Sequence, residues 1–189
     1  MTNSAFPAPI RDLSSLQAAL AAGQLGHYLY FWGHTAKADS LGKECFSQWY
    51  PAAFELDGYV YPTAEHYMMA EKARLFQDEA TRAAIITAKH PNDAKKLGRQ
   101  IKNFDEAAWL AARFAIVVRG NLAKFSQHPE LRKFLVGTGS QILVEASPVD
   151  TIWGIGLVQD HPAAADPSTW RGLNLLGFAL MEVRDQLAD

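Results

Sequence analysis

The stretch Ala53-Phe54-Glu55-Leu56-Asp57-Gly58-Tyr59-Val60-Tyr61, followed by Pro62-Thr63-Ala64-Glu65-His66-Tyr67, holds the clearest local instruction in the chain. An Asp-Gly pair between two β-prone arms predicts a tight hairpin, because a type I′ turn needs positive φ at both central residues. Pro62 ends the second arm, and Thr63 is suited to cap a helix running to about Phe76. Working outward, further helices are expected from Asp78 to Lys89, Asp93 to about Arg99, Asp105 to Phe125 and Pro129 to Val136. Pro129 suits a first helical position, and Gly137 the residue just past the end. His27 to Trp32 and Gln141 to Ala146 read as short strands. Near the start, Asp12 or Ser14 is placed to cap a short helix ended by Gly23. The last helix has the cleanest pattern, with Leu173, Leu176, Leu180, Val183 and Leu187 forming one core-facing stripe. The expected fold is mostly α, α+β at the margin: one compact helical domain with a small hairpin and short-strand element. Residues 1–26 read as a lead-in, loose as far as residue 11, with a short helix, and 27–189 as a single domain.

With 189 residues, 49% hydrophobic and 20% charged, the chain has the make-up of an ordinary globular domain. The 18 Lys plus Arg against 20 Asp plus Glu leave a net charge of -2, which argues against a protein that coats nucleic acid through a broad basic surface. A single cysteine, Cys45, cannot form an internal disulfide. No apolar secretion core opens the chain and no run reaches the length of a membrane span, so a cytoplasmic protein without a membrane partner is the expectation. The six histidines are scattered without the spacing that holds zinc, and no cofactor motif appears: no metal and no cofactor are expected. Gly154-Ile155-Gly156 lacks the third glycine of a dinucleotide-binding turn, since position 159 is Gln159.

Four segments stand out for chemistry. Glu65 falls in the first turn of a helix, where free N–H groups favour a carboxylate. The ordinary reading is a helix-start acid. The sharper one is a catalytic carboxylate flanked by Tyr61 and Tyr67, with Lys72 seven residues on along the same face. His66 is either a packing histidine or a binding group. Asp150, in the Pro/Gly-rich loop Ser147 to Gly156, is a candidate partner acid or an Asx-turn residue. Trp170-Arg171-Gly172-Leu173-Asn174, before the last helix, reads either as a phosphate site or as an ordinary cap. The aromatics of Tyr30-Phe31-Trp32-Gly33, with Trp49 and Trp109, serve either to stack on a flat heterocycle or to fill the core.

Taken together, these segments resemble the NADAR, or YbiA-like, family of N-glycosidases. The likeness is carried by Tyr30-Phe31-Trp32-Gly33, Tyr61 to Tyr67 with Lys72-Ala73, Leu97-Gly98-Arg99, Trp109, Lys124-Phe125 and Thr138-Gly139. It continues through Val144-Glu145-Ala146-Ser147 with Asp150 and Trp153-Gly154-Ile155-Gly156, then Trp170 to Gly177 with Met181 and Arg184. At Ser47-Gln48-Trp49 the sequence departs from the family, which usually has Ser-Asn before an aromatic. The resemblance implies a mostly helical fold and hydrolysis of an N-glycosidic bond to ribose. The substrate it implies is a phosphoribosylamino-pyrimidine of riboflavin synthesis, releasing ribose 5-phosphate; the alternative is ADP-ribose on guanine in nucleic acid. A module that binds a nucleotide or ADP-ribose without turnover is the third possibility. The family's catalytic glutamate falls on Glu65, its site tryptophan on Trp109 and its aspartate on Asp150.

Cleaving such a bond builds positive charge on the ribose, which a carboxylate stabilises while it or a neighbour activates water. Glu65 is expected to lead and Asp150 to assist or to orient ribose hydroxyls. Trp32, Trp109 and Trp153 are expected to stack on the base, with Phe31, Gly33, Trp49, His66 and Gly154 around the substrate. Arg171 and Asn174, with Arg99 or Lys72, are expected to hold phosphate. Lys72 has a rival role as an amine that forms a Schiff base with the opened ribose.

Overall fold

In a computed structural model of the chain, residues 9–24, 26–35 and 41–188 are described. The elements run α1 (Leu13–Ala21), β1 (Tyr28–Phe31), β2 (Phe54–Leu56), β3 (Tyr59–Tyr61), α2 (Ala64–Leu75), α3 (Glu79–Ile86), α4 (Pro91–Gly98), α5 (Glu106–Gln127), α6 (Pro129–Val136), β4 (Ile142–Glu145) and α7 (Leu175–Ala188). The fold is mostly α, with short strands and three brief 3-10 turns that sequence reading did not anticipate, at Lys43–Phe46, Pro162–Ala165 and Pro167–Thr169. Two compact units divide the chain: one holds residues up to Gly33 and from Lys133 onward, the other His34–Arg132. Among the described residues, no helix is long and apolar enough to cross a membrane.

In the His34–Arg132 unit the hairpin forms as the Asp-Gly pair dictates. Asp57 and Gly58 both take positive φ (54° and 78°), and Phe54, Glu55 and Leu56 pair with Tyr61, Val60 and Tyr59. Arg119 of α5 grips the tip, donating from both terminal nitrogens to the Asp57 carboxylate at 2.7 Å. Phe54, Tyr61 and Tyr67 cluster with ring centroids 5.1–6.0 Å apart, and Gly120 leaves α5 without the side chain that would collide with the Tyr67 ring. Around α2 are packed α3, α4 and α5. That makes α2 the unit's central rod: Ala64 through Glu71 are all buried. Helix α4 starts two residues before the expected Asp93, because Pro91 supplies a preset first helical residue.

The same core contains a charged side chain with no exposure at all. Lys124 of α5 donates from Nζ to the carbonyls of Cys45 (2.7 Å) and Ser47 (3.1 Å). Among the described residues it makes no ion pair, and burial pushes its ammonium down to about 7. A neutral amine has two N–H groups, which suffice for the two carbonyls, so the site is satisfied without a counter-ion.

The other unit is built on a parallel pair, β1 with β4, in register Tyr28 to Ile142 through Phe31 to Glu145. Helix α7 packs on β4, burying Leu176, Leu180, Val183 and Leu187 as the stripe requires. Leu173 is the exception. It lies before the helix and is exposed, because its N–H donates to Thr151 O in the preceding loop (3.0 Å). Of the residues read as a loose lead-in, 1–8 lie outside the described residues. Ile10 is buried, Asp12 caps α1 in a capping box with Ser15, and Arg11 pairs with Glu182 and Asp185 of α7.

Two outcomes test this architecture. A Cβ on Gly177 would run into Leu143 O and sit 2.6–2.7 Å from the Asn174 amide, so Gly177→Ala is expected to lower the unfolding free energy by about 2–3 kcal/mol in urea titration. The second concerns Lys124, whose proton is held more weakly folded than unfolded. Stability therefore rises with pH from about 7 toward the unfolded lysine value near 10, and the penalty is constant below 7. Between pH 7 and 9 the stability of wild type relative to Lys124→Met is expected to grow by about 2 kcal/mol.

Candidate active site

Glu65 is the second residue of α2, 3% exposed, two residues after Thr63, whose hydroxyl caps the helix at the His66 N–H. Its backbone N–H is one of the first-turn donors that no helical carbonyl can reach. It donates instead to Gln48 O at 2.9 Å. Gln48 belongs to the turn that Lys124 holds, and its side-chain nitrogen donates to Asn121 Oδ1 on α5 at 3.2 Å. Trp49, next in that turn, is half-buried between His34 (centroids 5.5 Å apart) and the Lys95 ammonium (5.9 Å).

Seven residues after Glu65 on the same helix, Lys72 returns to within about 20° of its bearing. Lys72 Nζ donates to Gly98 O (3.0 Å) and lies over the rings of Phe104 (4.4 Å) and Trp109 (5.5 Å). Burial pulls its ammonium below the ordinary lysine value. Trp109 is half-buried, and Arg99 is exposed beside Gly98 at the end of α4. Sequence reading missed Phe104. It is set over Lys72 by a turn in which Asn103 has φ 55° and the Lys102 N–H donates to Asp78 Oδ2 (3.0 Å). Asn tolerates that conformation, so the Asn103-Phe104 pair was the available hint.

His66 and Cys45 take structural places. The His66 ring has no exposure; Nδ1 meets Thr63 Oγ1 (2.8 Å), Nε2 meets Ala88 O (3.1 Å), and burial lowers its pKa. This corrects the expectation of a substrate-binding histidine. The buried Cys45 thiol is pushed up to about 12, which leaves it inert as a nucleophile at neutral pH.

In the unit built on β1 and β4, one loop cluster brings together Asp150, Trp153, Gly154, Arg171 and Asn174. Asp150 Oδ1 accepts the N–H groups of Ile152 (2.9 Å) and Trp153 (2.7 Å), an Asx turn. The 150–156 and 171–176 segments are laced by main-chain bonds: Arg171 N–H to Ile155 O (3.0 Å), Asn174 N–H to Gly154 O (3.2 Å) and Leu176 N–H to Trp153 O (3.1 Å). The Arg171 side chain is exposed and Trp153 half-buried. Gly154 is needed for packing, since a Cβ there would crowd Glu145 O and Asp150 O.

Asn174 departs from expectation. It is fully buried at φ 53°, its Oδ1 accepts the Glu145 N–H and its Nδ2 donates to Leu143 O, both at 2.9 Å. The oxygen and one N–H of the amide are bonded to β4 and the side chain is fully buried, so it braces a strand and is closed to a phosphate. Phe31 is likewise a core residue, 1% exposed, whereas Trp32 and Gly33 just after it are exposed. Trp170 is a core residue, its indole N–H donating to Ala164 O (2.9 Å).

The sequence model of the NADAR domain matches residues 30–188. N-glycosidase R617 of Acanthamoeba polyphaga mimivirus is 42% identical over 164 residues, 84% of this chain and 95% of that protein. N-glycosidase YbiA of Escherichia coli (strain K12) is 34% identical over 143 residues, covering 76% and 81%. The NMR structure of the E. coli protein YbiA superposes with a TM-score of 0.70 at 30% identity, covering 87% of each chain. The chain thus belongs to the NADAR domain family.

Proposed function

We propose that the chain hydrolyses the N-glycosidic bond of a phosphoribosylamino-pyrimidine and releases ribose 5-phosphate. That it is an N-glycosidase follows from relatives so named at 33–42% identity over most of its length. The observation that carries the catalytic assignment is Glu65, a carboxylate almost wholly buried at the start of the central helix. Low exposure strengthens its interaction with positive charge developing on the ribose. In this reading Glu65 stabilises the oxocarbenium-like transition state and takes the proton of the attacking water. Asp150, one oxygen of which holds its own loop, assists by orienting a ribose hydroxyl. The base stacks on one or more of Trp32, Trp109 and Trp153, Trp49 lies at the rim, and the exposed Arg171 receives the phosphate.

A second reading concerns Lys72. Its amine sits against two aromatic rings with its ammonium disfavoured by burial, a setting that makes a lysine nucleophilic. There it would form an imine with the opened ribose before water releases the sugar. Direct attack by water needs no such intermediate and is the route proposed. Borohydride added during turnover separates the two: unmodified Lys72 by mass spectrometry is the expected result, and a ribose phosphate fixed on Lys72 would replace the direct route.

Sugar release from phosphoribosylamino-pyrimidines and from ADP-ribosylated guanosine, assayed side by side, tests the substrate. Faster turnover of the pyrimidine is expected; turnover of the guanosine adduct alone would move the assignment to ADP-ribosyl hydrolysis, and binding without product to a non-catalytic module. Glu65→Gln is expected to lose roughly a hundredfold or more in kcat while remaining folded. Arg171→Ala is expected to raise KM for the phosphorylated substrate about tenfold with a smaller change in kcat.

A further inference from the structure

We infer that Lys124 is a positioning residue for Glu65, acting through the turn at Ser47-Gln48-Trp49. The inference rests on the reading of Glu65 as the catalytic carboxylate. Its starting point is the Glu65 N–H, which has no acceptor within α2 and is held by Gln48 O at 2.9 Å. Where that carbonyl sits depends on a turn with little regular structure of its own. Its internal bonds are few: Ser47 N–H to Glu44 O, Trp49 N–H to the Ser47 hydroxyl and Tyr50 N–H to Ser47 O.

Helix α5 grips this turn at three points. Lys124 Nζ takes the carbonyls of Cys45 and Ser47, and Asn121, three residues earlier on the helix, takes the Gln48 side chain. Asn121 is itself fixed, since its Nδ2 donates to Val117 O (2.9 Å). Lys124 and Asn121 both have no exposure. An apolar residue in place of Lys124 would leave both carbonyls without this donor, so the amine fixes where the backbone of the turn lies. Its two acceptors lie three residues and one residue before the carbonyl that holds Glu65. A shift of even about an ångström in a reacting group costs up to a hundredfold in rate, so this linkage matters for catalysis out of proportion to its size.

The test uses the full chain with Lys124→Met. Site-resolved amide hydrogen exchange reads the Glu65 N–H directly, and kcat and KM are measured per folded molecule on a phosphoribosylamino-pyrimidine. The expected result is Glu65 amide exchange faster by about tenfold or more, with amides of α7 unchanged. The kcat is expected to fall between about tenfold and a hundredfold, with KM within about twofold. Unchanged exchange at Glu65, or unchanged kcat, in folded Lys124→Met overturns the inference. Should Lys124→Met fail to fold, Lys124→Gln keeps a polar group on a side chain one bond shorter and loosens the hold on the Cys45 and Ser47 carbonyls. It is expected to speed Glu65 exchange by about threefold, and no change there overturns the inference equally. Full activity of Glu65→Gln would defeat the catalytic reading instead, a separate outcome because exchange reports the positioning whatever Glu65 does.

Discussion

The carboxamide of Asn174 stands in for a missing strand. Among the described residues strand β4 has one strand partner, β1, and a two-stranded parallel pair is marginal by itself. On the opposite edge Asn174 accepts the Glu145 N–H and donates to Leu143 O, the bonds a neighbouring backbone would make. Positive φ at Asn174 turns the side chain to that edge, and Gly177 lets α7 come close enough for the amide to reach. The same residue's own N–H fastens Gly154 O, so the 150–156 loop is held to the brace. A strand, a loop and the start of the last helix therefore share one residue, through its side chain and its main chain.

Much of the local architecture was legible because it rests on local rules. Asp57-Gly58 forced the hairpin, Thr63 and Asp12 marked helix starts through their side-chain oxygens, and the leucine and valine spacing of α7 named its buried face. The parallel pairing of β1 with β4 was not legible, since the strands lie more than a hundred residues apart and short apolar runs do not name their partners. Leu173 fitted the stripe by spacing yet lies outside the helix, because its N–H bond to Thr151 O keeps it in the loop.

Site chemistry was legible where it depended on position in a helix. Glu65 could be placed in a first turn from Pro62-Thr63 alone. It was illegible where main-chain atoms are the partners. Lys124 was part of a family motif, but its acceptors are carbonyls 77 and 79 residues away, and carbonyls leave no trace in residue type. Asn174 and Arg171 looked equally fit for phosphate. Only the fold separates them, one amide being buried and bonded to β4 and one guanidinium exposed.

The near-neutral character of Lys124 also sets how this protein answers to salt. At mildly alkaline pH the grip on the Ser47-Gln48-Trp49 turn is made by an uncharged amine on carbonyl dipoles, with no water between. Added electrolyte weakens exposed pairs such as Arg119 with Asp57, because mobile ions screen them. It has no comparable purchase on a buried dipolar contact. The hairpin tip and the turn behind Glu65 are thus anchored to the same helix by two kinds of bond, one that loosens in concentrated salt and one that does not.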